Sequence, residues 1–287
     1  MTGRRPTHGT PGPTREAPRL TSEAPRPTRL THETLGAGTP SLFLENLSGP
    51  PETGRALAPV LTAAGHLVLL VDHPGTGADL AAVARDVAAL LDELDVTPTV
   101  WGHSQGALLA QELALARPDR VRAVALVATR GRPSPFHDAY LAALRACEDP
   151  AVSDELAAVL DLLATVPPGL LARDDVAELA LAGAHRRREA RDPERTLRSL
   201  RLSAGYGDRL AALRELAVPA LVVAFEQDVV CPPALGREVA DAVPGCAYRE
   251  IAGAGHGGLL THAPEVLDAV TGFLAAHAGR PRGVARA

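Results

Sequence analysis

The stretch that decides the fold is Thr99-Val-Trp-Gly-His-Ser-Gln-Gly-Ala-Leu-Leu-Ala-Gln-Glu-Leu-Ala-Leu-Ala-Arg-Pro118. Its first residues, 99–101, read as the end of a buried strand, and residues 107–116 have helical propensity and helical spacing. Between them, Gly102-His103-Ser104-Gln105-Gly106 matches the G-x-S-x-G pattern, which turns a chain sharply from strand to helix. Because such a turn exposes its central serine, Ser104 is predicted to be a nucleophile.

The same turn predicts a binding site for the negative charge that would develop on a substrate attacked by Ser104. Ser104 would stand at the N-terminus of a helix, with the backbone amide of Gln105 facing the same space. The alternative interpretation is a plain tight turn, since the five-residue pattern occurs easily by chance.

Composition narrows the class of protein. With 287 residues, 46% hydrophobic and 22% charged, the chain can bury the core of one domain of about 250 residues with room for an inserted subdomain. The net charge of −5 offers no general basic field for nucleic acid or a membrane surface. We therefore expect a small-molecule substrate, no nucleic-acid or membrane partner, and a monomer or homodimer.

The cysteines indicate neither a disulfide framework nor a metal site. Cys147, Cys231 and Cys246 are odd in number, far apart and without C-x-x-C spacing. No apolar run reaches 18 residues, and the N-terminus has no signal-like apolar segment. These features favour a cytoplasmic protein without a zinc site, and catalysis by a serine nucleophile, as predicted for Ser104, would need neither a metal nor an organic cofactor.

The order of predicted elements indicates an α/β fold. Residues 1–14 and 279–287 are expected to be disordered tails, 15–131 and 206–278 a core, and 132–205 a helical cap. Strands are expected at 20–24, 28–35, 41–44, 67–71, 98–101, 121–127, 220–225 and 247–251. Helices are expected at 55–64, 80–94, 107–116, 135–147, 153–165, 173–188, 193–203, 233–242 and 264–276. Apolar strands that alternate with helices predict a mostly parallel sheet covered on both faces.

An activated serine needs a base and an acid that orients the base. Asp228 follows the strand at 220–225, and His256 lies in a glycine-rich loop after the strand at 247–251. For Asp228 the alternatives are a helix-capping role or replacement by the neighbouring Glu226. Other histidines that could serve as the base are His262, His103, His73 and His66.

In these features the chain resembles the α/β-hydrolase fold family over residues 20–278, most closely its capped, esterase- and haloperoxidase-like members. The resemblance rests on the elbow, on the chain order Ser104, Asp228, His256, and on the loop before Pro264-Glu265. It implies a central, mostly parallel sheet flanked by helices with an inserted helical cap. Some members carry the acid after the preceding strand, but residues 128–133 contain no carboxylate.

The chain departs from the family after the strand at 41–44. Where relatives usually have His-Gly, this chain has Glu45-Asn46, followed by Leu47. The resemblance therefore implies oxyanion donors at the backbone amides of Leu47 and Gln105. Glu45 could bring a carboxylate to the pocket, or it could simply bond to the backbone at the strand end.

Other candidate substrate-binding residues are Asn46, His103 and, in the cap, Phe136 and Tyr140. The leading functional prediction is a serine hydrolase that cleaves an ester, thioester or lactone of a small, largely apolar molecule through Ser104, His256 and Asp228. The second is a lyase or cyclase of the same fold in natural-product biosynthesis, acting by elimination or ring formation. The third is a small-molecule receptor, which would gain nothing from a strained serine.

Overall fold

A computed structural model describes residues 30–49 and 51–279. The strand expected at 20–24, the tail at 1–14 and all but one residue of the tail at 279–287 lie outside the described residues. No helix in the described part of the chain combines the length and apolar character needed to cross a membrane.

One sheet organises the described residues. Its strands are β1 (Thr31–Leu35), β2 (Thr39–Leu44), β3 (His66–Asp72), β4 (Thr99–His103), β5 (Val124–Val127), β6 (Ala220–Phe225) and β7 (Ala247–Ile251). They lie in the order β1-β3-β2-β4-β5-β6-β7, and only β1 is antiparallel to its neighbour. The predicted α/β fold with a mostly parallel central sheet is confirmed.

The described helices are α1 (Glu52–Ala63), α2 (Leu80–Glu93), α3 (Gln105–Ala116), α4 (Pro135–Ala146), α5 (Asp154–Thr165), α6 (Pro168–Leu171), α7 (Asp174–Ala190), α8 (Pro193–Ala204), α9 (Leu210–Leu213), α10 (Pro233–Ala242), α11 (Gly258–Thr261) and α12 (Ala263–His277). Helices α2, α3 and α10 contribute buried residues to the core on one face of the sheet, and α1 and α12 to the core on the other face. The sequence pattern did not indicate α6, α9 and α11, because a single four-residue turn is too short to show a helical period.

The central strands are continuous apolar runs in the sequence because both of their faces are buried in the core. Every residue of β5 and β6 is buried, as expected for strands covered on both faces. In β4, Trp101 is fully buried and stacks on Phe43 of β2, with ring centroids 3.9 Å apart. This packing fixes the strand end that leads into Ser104.

Helices α4 to α8 lie between β5 and β6 in the chain, and we call them the helical insertion (residues 135–204). Within it, α5 packs on α7 and α4 packs on α8. Ser134, Ser153 and Asp192 accept backbone N–H groups at the starts of α4, α5 and α8, which explains where these helices begin. The division into core and cap at 131/132 and 205/206 remains a prediction.

Candidate active site

Ser104 occupies a strained turn between β4 and α3. Its φ of +55° and ψ of −119° lie outside the regions that L-residues ordinarily adopt. The flanking glycines make the turn possible, because a Cβ at Gly106 would lie 1.9 Å from the carbonyl oxygen of Leu44, and one at Gly102 would lie 2.3 Å from that of Gly106. The two glycines therefore allow the turn that places Ser104 at the start of α3, at the carboxyl edge of the sheet.

His256 and Asp228 complete a hydrogen-bonded chain that begins at Ser104. The Nε2 atom of His256 lies 2.8 Å from Ser104 Oγ, and its Nδ1 atom lies 2.8 Å from Asp228 Oδ2. An ionised carboxylate can only accept, so Nδ1 carries the proton and Nε2 accepts the Ser104 hydroxyl. The structure thus brings together the three residues that the sequence indicated, in the geometry that activates a serine.

Asp228 is 3% exposed, and its other oxygen is also fixed. Oδ1 accepts the backbone N–H groups of Val230 and Cys231, each at 2.8 Å. Burial alone would raise the pKa of Asp228, but the charge of His256, its hydrogen bond and these two amides together lower that pKa below its ordinary value. Asp228 therefore stays ionised at neutral pH.

The alternative acid and bases have other partners or positions. Glu226 is exposed and accepts the backbone N–H of Gly253 at 2.7 Å. His73 contacts Asp86 at 3.1 Å, and His262 contacts the hydroxyl of Thr261 at 2.9 Å. Neither of these histidines, nor His66, lines the cavity beside Ser104.

His103 supports the loop that carries His256. Its Nε2 atom lies 3.0 Å from the carbonyl oxygen of His256, to which it can donate. Burial, together with the charge of His256, lowers the pKa of His103 to about 3. A neutral His103 thus fixes the position of His256, and it also lines the cavity beside Ser104.

Ser104 and His256 open onto a cavity of about 400 Å³ between the sheet edge and the helical insertion. Two of the candidate substrate-binding residues, Asn46 and Tyr140, line this cavity. Phe136 does not, and this prediction is wrong. The inward face of α4 runs through His137, Tyr140 and Leu141, which leaves Phe136 56% exposed on the outside.

Glu45 does not line this cavity either. Its carboxylate accepts the backbone N–H groups of Thr53 and Gly54, at 3.1 and 2.9 Å, in the first turn of α1. The first N–H groups of a helix have no partner within the helix, and Glu45 supplies one. Burial raises the pKa of this carboxyl group. Glu45 is therefore a strand-end residue bonded to the backbone, which is the second of the two alternatives that the sequence left open, and its carboxylate does not reach the substrate cavity.

The Leu47 amide is not free to bind an oxyanion in this structure. It donates to Oε1 of the Gln105 side chain at 2.8 Å, and Leu47 is not among the residues that line the cavity. Of this loop, Asn46 and Ser48 face the cavity instead. The backbone amide of Gln105 begins α3, where N–H groups lack intrahelical partners, so the other predicted donor keeps its expected position.

Gln105 also connects the turn to helix α8 of the insertion. Its Nε2 donates to the Ser199 carbonyl at 2.7 Å and to the Ser203 hydroxyl at 2.8 Å, and its Oε1 accepts the Ser199 hydroxyl at 2.8 Å. From the same helix, Arg195 donates to the carbonyl of Leu47 at 2.9 Å. Helix α8 is therefore hydrogen-bonded both to Gln105, which follows Ser104, and to the loop that contains Leu47. The sequence pattern did not indicate this arrangement.

We expect Gln105→Met to lower the free energy of unfolding by about 2–4 kcal/mol, because it leaves several buried polar groups without partners. Urea denaturation monitored by circular dichroism measures the change. Ser203→Ala, which removes one member of the same network, should cost only about 1 kcal/mol. Equal losses in the two variants would contradict the role of Gln105 as the centre of this network.

His137 makes stability depend on pH. It is 5% exposed in the wall of the cavity, and burial, with the nearby charge of Arg130, lowers its pKa to about 3. In the unfolded chain His137 binds a proton near pH 6.5, whereas in the folded chain it does so only near pH 3. The stability that the neutral, buried His137 contributes is therefore lost as the pH falls from about 6.5 to about 3.

We expect His137→Asn to reduce the slope of unfolding free energy against pH, between pH 6 and 4, by about 1 kcal/mol per pH unit. Urea titrations at several pH values across this range measure the slope. A variant slope equal to that of wild type would show that His137 is not buried as a neutral group.

Comparisons with known proteins agree with this fold. The chain matches the model of the alpha/beta hydrolase family over residues 8–269. It is 34% identical, over 265 residues, to BpoC of Mycobacterium tuberculosis, whose name assigns it provisionally as a non-heme bromoperoxidase; the match covers 86% of this chain and 97% of BpoC. It is 30% identical, over 256 residues, to a pimeloyl-[acyl-carrier protein] methyl ester esterase of Chromobacterium violaceum, covering 84% and 96% of the two chains.

Among solved structures, that of Rv0554 from Mycobacterium tuberculosis superposes with a TM-score of 0.76 at 32% identity, covering 86% of this chain and 94% of that one. The family match covers most of the chain, and the relatives align over nearly their whole length. The protein is therefore an enzyme of the alpha/beta hydrolase family.

Proposed function

We propose that this enzyme hydrolyses an ester, thioester or lactone of a small molecule, with Ser104 as the nucleophile. One observation carries the proposal. The Ser104 hydroxyl is hydrogen-bonded to His256, which is hydrogen-bonded to a buried, ionised Asp228, at the wall of the cavity. Two 2.8 Å contacts in this order are what base-assisted attack by a serine requires.

In the proposed reaction Ser104 Oγ attacks the carbonyl carbon while His256 takes the hydroxyl proton. His256 then gives the proton to the leaving oxygen or sulfur, and an acyl group remains on Ser104. Water, deprotonated by the same histidine, releases the acid. Asp228 keeps His256 in the tautomer that accepts at Nε2, and it stabilises the imidazolium that forms.

The negative charge that develops on the carbonyl oxygen needs donors. The backbone amide of Gln105, at the start of α3, is the first of them. Asn46 replaces Leu47 as our candidate for the second. Its Oδ1 accepts the amide and the hydroxyl of Ser48, an arrangement that leaves the Asn46 Nδ2 group for a substrate in the cavity.

The names of relatives support hydrolysis over the other candidate reactions, since one of them is an ester hydrolase. We propose a cytoplasmic site of action, which fits the three free cysteines.

A lyase or cyclase of the same fold remains the second candidate. The engaged Leu47 amide favours it, because the loss of one oxyanion donor slows acyl transfer more than it slows proton transfer.

The experiment is turnover of a panel of 4-nitrophenyl esters in H₂¹⁸O, with the acid product analysed by mass spectrometry. A hydrolase that acts through an acyl-enzyme releases acid with one ¹⁸O atom and shows a burst of 4-nitrophenol when deacylation is slow. No turnover above that of Ser104→Ala, from folded protein, would exclude a general esterase and would favour the second candidate.

A further inference from the structure

Arg130 brings a positive charge to the wall of the same cavity. It follows β5 and is 1% exposed. The guanidinium donates to three backbone carbonyls: through Nη1 to Arg132 at 3.0 Å and Tyr206 at 3.3 Å, and through Nη2 to Ser203 at 2.8 Å. It also lies over the Tyr206 ring, 5.3 Å from the centroid. All these partners are neutral.

No carboxylate among the described residues pairs with Arg130. The other arginines that line the cavity are paired: Arg187 with Asp161, Arg188 with Asp154 and Glu148, and Arg191 with Glu148. In addition, the Nε atom of Arg130 is buried and has no acceptor. Trp101 and His66 also carry unpartnered buried nitrogens, but neither residue lines the cavity.

A buried charge without a counterion is costly, and proteins keep such groups mainly where they serve a site. Burial lowers the pKa of Arg130, yet a guanidinium stays protonated at any physiological pH. Its neighbour His137 is neutral at pH 7, and the Nδ1 atom of His137 is also buried without a hydrogen-bond partner, 3.8 Å from an oxygen of Asp138. At this end of the cavity no carboxylate is in ion-pair contact with the positive charge of Arg130, on which Asp138 acts only through space, and the buried Nε–H donor has no acceptor.

We propose that Arg130 selects substrates that carry a carboxylate, so that the acyl or leaving group has an apolar body and one anionic end. The inference rests on the proposed function. One negative charge on the substrate would balance the positive charge of Arg130, which no carboxylate contacts, unlike the charges of Arg187, Arg188 and Arg191 in the same cavity wall. A carboxylate fits better than a phosphate, because carbonyls already occupy three of the N–H donors of the guanidinium, and the few that remain suit a group with two oxygens.

The kinetic test compares 4-nitrophenyl hydrogen glutarate with 4-nitrophenyl pentanoate, two esters with acyl chains of five carbons that differ in the terminal charge. The readout is the ratio of their kcat/KM values, because general damage to the site cancels in this ratio. We expect Arg130→Met to lower the kcat/KM ratio of the anionic ester to the neutral ester by about 10- to 100-fold. Arg130→Lys keeps a positive charge and should retain part of the preference for the anionic ester. A ratio that changes less than twofold in Arg130→Met would overturn the proposal.

The matched control is Arg132→Gln. Arg132 is two residues away, is paired with Glu238 and does not line the cavity, so its loss should leave the ratio unchanged. An equal fall in the ratio for Arg132→Gln would also count against Arg130, since a change in overall charge would then be sufficient.

Calorimetric binding to wild type keeps the proposal testable if Arg130→Met does not fold. Pentanoate should bind at least about tenfold more tightly than its neutral isostere pentanamide. Equal binding would overturn the proposal, and tighter binding of butylphosphonate than of pentanoate would overturn the choice of a carboxylate. Because this measurement needs no turnover, it separates failure of the inference from failure of the proposed hydrolysis.

Discussion

Replacement of Ser104 by alanine is expected to lower kcat for ester hydrolysis by about 10⁴-fold or more. Removal of the nucleophile leaves only binding and electrostatic stabilisation to assist attack by water. The folded state should persist, because Gly102 and Gly106 keep the tight packing around the turn. Steady-state kinetics with 4-nitrophenyl esters measure the loss.

The control for this variant is Ser153→Ala, which removes the N-cap of α5 and lies outside the cavity. It should lower stability by about 1 kcal/mol and leave kcat within about twofold. If Ser104→Ala kept more than about 1% of wild-type kcat, the hydrolysis would not proceed through Ser104.

The second large effect is expected for Asp228→Asn, which should lower kcat by about 10³- to 10⁴-fold. The oxygen of the new side-chain amide could still accept the backbone N–H groups of Val230 and Cys231, which now bind Oδ1. The NH₂ group of that amide would then face His256 and donate to Nδ1. His256 would carry its proton on Nε2, where it could no longer accept the proton of Ser104.

Glu226→Gln is the matched control, since it makes the same chemical change two residues earlier. Glu226 accepts the exposed Gly253 amide at 2.7 Å, and His256 bonds to Asp228 instead, so the control variant should retain kcat within about threefold. Comparable losses for the two variants would mean that Asp228 is not the group that orients His256.

The parts of the fold set by local chemistry could be predicted from the sequence. The apolar runs of β5 and β6 are buried on both faces, so they read as strands without knowledge of their neighbours. The glycines around Ser104 reflect contacts only four residues apart or with the adjacent strand β2. Ser104, Asp228 and His256 each follow a parallel strand, and the sheet brings the carboxyl ends of these strands to one edge.

The parts of the site set by long-range contacts could not be predicted. Glu45 bonds to the start of α1, and Gln105 reaches residues of α8 that lie 94 and 98 positions later. Nothing local to Leu47 indicates that its amide will be bound by that side chain. The burial of Arg130 likewise depends on the end of α8, which lies more than 70 residues further along the chain and covers its guanidinium.

These contacts give the helical insertion a direct influence on the reaction. Helix α8 holds Gln105, the carbonyl of Leu47 and, through Ser203, the guanidinium of Arg130. The loop of His256 is tied to α5, because the backbone N–H of Gly257 donates to the Thr165 carbonyl at 2.8 Å. Any movement of the insertion would therefore change the positions of Ser104, His256 and Arg130 together.

The most direct test of the central claim is labelling of the folded enzyme with a fluorophosphonate, followed by peptide mass spectrometry. An activated serine attacks the phosphorus atom, displaces fluoride and keeps the phosphonyl adduct. We predict one adduct, on the peptide that contains Ser104, and we predict that His256→Ala slows its formation by at least about 10³-fold. Folded protein that stays unlabelled at Ser104, or that is labelled there at the same rate without His256, would contradict the account.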